Sequence, residues 1–261
     1  MRAHLESSLR KFQALQAVPY FLATAIFFRV LGDLFYGRFQ IHNQTFWPAR
    51  YSGFLPLGSI GALLAEWLLL LATATMLAFG PSKFRVWVAR FGTLVVGYSL
   101  CQFFQNQKLL ILFVMIALSY DPLREGSISH RNLRFLIYTA YLSAALHKIL
   151  YGFYSGVALT LALKSVVAMG PQISPLDYRP ALAQTLLEAG LVKPLSIFTV
   201  LSQVALPILL WKRPNQGILA VAAFHLGLSV VMPDILPFGF SMLAAAMCCA
   251  RSTPNKKENP A

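Results

Sequence analysis

The stretch 141–156, YLSAALHKILYGFYSG, carries the residues of this chain best suited to chemistry. It begins as an apolar helix, sets His147 beside Lys148 at the helix end, and gives way to Tyr151, Gly152, Phe153, Tyr154 and Gly156. A lysine amine that loses its water also loses part of its preference for the charged form, and can then serve as a general base. Histidine is the side chain whose ordinary titration lies nearest neutral pH, which suits His147 to orient the amine or relay a proton. Tyr141, seven residues before Lys148, shares its helical face. The small and aromatic residues that follow suit the wall of a pocket. A plainer reading of Lys148 also stands. At the rim of a bilayer a lysine lays its stem along apolar surface and lifts its ammonium to the headgroups.

The elements that must position these residues are set by composition. The 261 residues are 57% hydrophobic and only 12% charged, with a mean hydropathy of +0.61. Soluble domains carry about 25% charged residues. The expectation is an all-α, polytopic integral membrane bundle forming a single domain. The net charge of +13 does not point to nucleic acid, because the basic residues lie in short runs between apolar segments, as topology determinants do. Cys101, Cys248 and Cys249 all fall in apolar segments and imply no disulfide framework. His147 and His225 lack metal-ligand spacing, so no metal site is expected.

Hydropathy and breakers predict about eight spans, near residues 15–36, 54–79, 91–105, 109–119, 135–151, 195–211, 216–232 and 235–250. Residues 1–13 read as a polar cytoplasmic N-terminus, 14–250 as the bundle, and 251–261 as a disordered basic tail. The polar turns expected at 80–90 and 120–134 carry arginines, and two short helices, about 156–169 and 180–190, read as interfacial or re-entrant pieces. Ionisable residues inside spans are functional-site hypotheses by default. Arg29 and Asp33, four apart in the first span, are expected to pair as a structural ion pair facing the bundle. Glu66 lies near the middle of the second span, either lining a cavity or neutralising Arg29. His225 sits in the seventh span, as an interhelical hydrogen-bond partner or a cavity residue.

With eight spans, fourteen lysines and arginines fall in one set of connecting segments and six in the other. Lys108 belongs to the smaller set, as a loop charge. The asymmetry places both termini in the cytoplasm, in what reads as a bacterial cytoplasmic membrane, and puts His147 and Lys148 at the outer face.

The residues also resemble a known family. FFRVLGDLFYG, YLSAALHKILYGFYSG and LPILLWKRPNQGILAVAAFHLGLSVVM are similar, in order and spacing, to segments of the HTTM (horizontally transferred transmembrane) family. Its best-known members are the vitamin K-dependent gamma-carboxylases. The aromatic loop FWPARYSGFLP is similar in placement. The resemblance implies that Lys148 stands where the carboxylases place the base that deprotonates reduced vitamin K. Their assisting histidine falls at Asn106-Gln107, where Gln107 has no titratable group.

From residues and resemblance together, the expected function is action on a quinone- or lipid-like ligand at the outer face. Lys148 is the base, His147 its helper, and Tyr141, His225, Glu66 and Gln107 line a cavity or relay protons. Reduced vitamin K or another quinone enters as cofactor only through the resemblance. Two alternatives come from other classes. One is a non-catalytic membrane factor that binds a secreted peptide or small partner protein. The other is a small-solute transporter using Glu66, Arg29 and His225 along a path.

Overall fold

The computed structural model describes residues 2–35, 60–102, 106–169, 178–231 and 235–250. The described residues form ten α-helices and no strand. They are α1 (Arg2–Phe35), α2 (Ile60–Phe79), α3 (Arg85–Gln102), α4 (Asn106–Leu118), α5 (Ile128–Leu150), α6 (Val157–Met169), α7 (Arg179–Glu188), α8 (Val192–Lys212), α9 (Pro214–Val231) and α10 (Leu236–Met247). Short 3-10 turns at Ser82–Phe84 and Phe153–Ser155 lead into α3 and α6.

The last helix is the hub. α10 packs against α1, α4, α5 and α9, and its residues from Ser241 to Ala246 are all buried. Its run Ala244-Ala245-Ala246 has no side chain beyond Cβ, so neighbouring backbones approach closely and gain dispersion contacts. On α1, Val18, Leu22, Ala25, Ile26 and Arg29 make a buried stripe at helical spacing. Phe21 and Phe28 of α1 stack on Phe240 of α10 at 6.3 and 5.4 Å. Around this hub, α2, α3 and α4 pack in sequence, and α8 joins α5 to α9. α6 and α7 pack on each other as a smaller unit, around Leu163, Ala183 and Val192.

Several helices begin earlier than the sequence suggests. α1 is helical from Arg2, so the polar N-terminal residues extend the first helix. Arg85 and Arg90 are in α3, and Arg131 and Arg134 in α5, all in stretches expected to be polar turns. For α5 the reason is local capping. The Ser127 hydroxyl accepts from His130 N–H, and the Asp121 carboxylate accepts from Ile128 and Ser129 N–H at 2.9 and 2.8 Å. These bonds satisfy amide donors that a helix start leaves free. His130 then ties α5 to the end of α10. Its Nδ1 accepts from Gly126 N–H at 3.3 Å, leaving Nε2–H to donate to the Cys248 carbonyl at 2.9 Å.

Two helices, Ala14–Gly32 within α1 and Val192–Lys212, are long and apolar enough to cross a membrane. The expected loop 37–53, the breakers at 170–175 and the tail 251–261 lie outside the described residues.

Candidate functional site

Three polar arrangements bear on the candidate residues. The first lies at the end of α5. His147 and Lys148 occupy the last turn, where cations complement the helix dipole. Tyr151 N–H donates back to the His147 carbonyl at 3.0 Å, closing the helix. The chain then leaves through Gly152 at φ +64°, a left-handed conformation that side chains with a Cβ resist. This turn brings Phe153 under the lysine, whose Nζ lies 5.5 Å from the ring centroid. Lys148 is half-buried, while His147 is exposed and rests on Tyr151 at 4.3 Å between rings. Gly156, at φ +87°, docks the turn on α8, where a Cβ would meet the Lys193 backbone at 3.2 Å.

The second arrangement is a hydrogen bond between helices. Tyr141 follows Ile137 and precedes Ala145 on the buried face of α5. Its hydroxyl lies 2.9 Å from His225 Nε2 on α9. The imidazole is 4% exposed and packed against Phe224 and Phe238 at 5.2 and 5.5 Å. It fits because Gly239 on α10 has no side chain. A Cβ there would stand 2.8 Å from His225 Cβ, closer than packing allows.

The third is an ion pair. Lys108 Nζ on α4 lies 2.9 Å from Glu66 Oε1 on α2 and donates to the Ser99 carbonyl on α3 at 3.1 Å. The Ser99 hydroxyl donates to the same carboxylate oxygen. All three residues are at most 1% exposed. This corrects the expectation that Lys108 is a loop charge. It lies in α4 and enters the core because the Glu66 carboxylate offers it the counter-charge that burial demands.

The structure therefore distributes the candidates. Tyr141 and His225 meet directly, and Glu66 is engaged by Lys108 and Ser99. Lys148 and His147 belong to the α5 end. Arg29 is buried on the inner stripe of α1. The side chains of Asp33 and Gln107, and with them the expected Arg29–Asp33 pair, lie outside the described ones. Sequence reasoning missed Ser99 and Lys108. The available signal was a lysine opening the apolar run KLLILFVMIAL without an acid nearby in the chain.

Outside the helices, the Asp121 carboxyl is shifted in a way that bears on folding. Partial burial pushes its carboxyl upward, but the hydrogen bonds from Ser129, Ile128 and Ser127 outweigh this and hold it below the usual carboxylate range. Among the described residues no group of three or more His, Cys, Asp or Glu could hold a metal ion. The chain matches no protein-family model, no curated protein and no solved structure.

Proposed function

We propose that this chain is a polytopic membrane protein of about eight spans that acts on a quinone- or lipid-like ligand at the end of α5, with Lys148 as base. The observation that carries the reading is the placement of the Lys148 amine. It is half-buried over the Phe153 ring, where an anchoring lysine would extend into the headgroups. The Phe153 face holds the side chain in place, and a lysine amine, unlike a guanidinium, can exchange its proton with a ligand beside it. A ring hydroxyl of a reduced quinone-type ligand is a suitable proton donor to such an amine. His147, adjacent and exposed, would orient the amine or pass the proton outward. The resemblance to the HTTM family supports the same assignment.

The membrane part of the reading rests on the outward faces. Leu68, Leu94, Leu150 and Leu219, on α2, α3, α5 and α9, are each more than two-thirds exposed. Such exposed large apolar side chains recur along α2, α3, α5, α8 and α9, and large exposed apolar surfaces mark contact with a membrane or a partner. Helices α2, α3, α5, α8 and α9 have 18 to 23 residues, about 27–35 Å at 1.5 Å per residue, which matches a bilayer core of about 30 Å. α4 and α10, at 13 and 12 residues, are shorter, and α10 is enclosed by its neighbours.

A second reading, a non-catalytic factor for a peptide or small partner protein, has its own observation. An open groove of about 380 Å³ between α6 and α7 is lined by Val167, Ala168 and Leu187 together with Lys164, Gln184 and Glu188. That mix suits a short peptide.

Two substitutions test the first reading against both the second and the plain anchoring role. Lys148→Arg keeps the charge but removes an amine that can deprotonate, and Lys148→Met keeps the stem alone. If Lys148 is a base, both variants insert normally and both lose the phenotype supplied by the parent gene, by about two orders of magnitude. Native mass spectrometry of the gently solubilised parent then shows a co-purifying quinone. Full complementation by Lys148→Arg would refute the catalytic assignment.

A further inference from the structure

The α2–α3 turn and the start of α3 carry a pattern that the α5 end does not use. Phe84, Trp87, Phe91 and Leu94 recur at i, i+3, i+7 and i+10, and all four are exposed. They form one apolar stripe running down the outside of α3. Two cations flank its upper end, seven residues apart. Lys83 Nζ lies 5.0 Å above the Phe84 ring, and the Arg90 guanidinium 4.6 Å above the Trp87 ring. Arg90 is fixed further by its Nε–H, which donates to the Ser119 carbonyl at 3.0 Å. Between them, Arg85 has a buried Nε with no hydrogen-bond partner.

Among the described residues these cations meet no carboxylate. No acidic residue occurs between Glu66 and Asp121. Glu66 is engaged deep in the core by Lys108, and Asp121 accepts the amides at the start of α5. Among the described residues, neither Lys83 nor Arg90 is paired with a carboxylate. Their positions are nonetheless defined, each by an aromatic ring that is itself exposed. Cations held in place beside an outward apolar stripe, with no internal counter-charge, call for an external anion attached to apolar chains.

We infer that this face binds the phosphate of an anionic phospholipid, with the headgroup between Lys83 and Arg90 and an acyl chain along Phe84, Trp87, Phe91 and Leu94. The site rests on the proposed membrane placement of the bundle and is independent of any chemistry at Lys148. A diffusing phosphate would use the same cations but leave the apolar stripe unoccupied, so the stripe is what selects a lipid. Each basic side chain near an anionic surface contributes to such binding, and defined partners concentrate that attraction at one headgroup.

The test reconstitutes the full chain into nanodiscs of equal phosphatidylglycerol and phosphatidylcholine and counts lipids retained on release, by native mass spectrometry. The parent should retain phosphatidylglycerol in preference. The double variant Lys83→Gln/Arg90→Gln should lose about tenfold or more of that preference, and Trp87→Ala should weaken it without removing a charge. Lys212→Gln/Arg213→Gln removes two charges from a different turn and should change little. Equal losses from the two double variants would mean diffuse attraction and overturn the site. Displacement of the lipid by millimolar inorganic phosphate would overturn it in favour of a free anion. Should a variant fail to incorporate, the parent's own preference decides: equal retention of both lipids refutes the site while leaving the membrane placement intact. Recovery of the parent in the soluble fraction without detergent would refute the placement itself, and the site with it.

Discussion

Lys108 Nζ and Glu66 Oε1 lie 2.9 Å apart, on residues 42 positions apart in the chain, with both side chains buried. The pair joins α2 to α4, and Ser99 bonds to both partners from α3. Two charges withdrawn from water are tolerated only together. Glu66→Gln or Lys108→Met should therefore destabilise the protein by roughly 3–5 kcal/mol, because each leaves the other charge buried without its partner. The double variant Glu66→Leu/Lys108→Met should recover most of the loss. Thermal midpoints in detergent check this, and single variants as stable as the parent would show that the pair contributes no net stability.

The Tyr141–His225 bond makes a separate prediction. Tyr141→Phe removes the hydroxyl and leaves a buried ring nitrogen without its partner, at a cost of about 1–3 kcal/mol. Gly239→Ala should cost a similar amount by crowding the imidazole. In a His225→Gly background the Gly239→Ala cost should largely vanish, since the Cβ it strikes is then gone. A double-mutant cycle measures the coupling. Additive losses would mean that the crowding is taken up elsewhere.

Asp121 predicts an acid-sensitive step. Its folded-state carboxyl is held below the usual range, so its contribution is full above the unfolded value of about 3.9. It is lost as pH falls through the lower folded value, as the deprotonated form is the one that accepts the Ile128 and Ser129 amides. Asp121→Asn should lower stability at pH 7 by about 1 kcal/mol, the usual scale of a helix cap. It should also flatten the dependence of thermal midpoint on pH below about 4. An unchanged acid limb in the variant would assign that limb to other carboxylates.

The proposed orientation rests on charge, with Lys108 set aside. With that lysine in the core, the sequence count stands at fourteen basic residues against five, and the expected orientation is the one this count favours. Reporter fusions after residue 88 and at the C-terminus should read cytoplasmic, and one near residue 172 external. A cytoplasmic signal at 172 would place Lys148 on the inner side and overturn the orientation.

Local composition determined most of the helices. The apolar runs interrupted by Gly80-Pro81, by the 120–127 turn and by Lys212-Arg213-Pro214 are visible in the chain, because each break removes helix propensity or satisfies helix ends within a few residues. The two short helices flanking the 170–175 breakers were visible for the same reason. So was the α5 end, where Lys148, Gly152 and Phe153 are close in sequence and the glycine turn alone brings the ring to the amine. The tertiary structure decided which polar residues meet. Nothing near Glu66 in sequence predicts Lys108, and nothing near Tyr141 predicts His225. Those partnerships depend on which helix faces pack together, and packing is settled by small residues such as Gly239 and Ala244-Ala245-Ala246 on α10. A hydropathy pattern sees these only as apolar. It reports how much of a helix avoids water, whereas the identity of its neighbour is fixed by shape and by the requirement that every buried charge find its opposite.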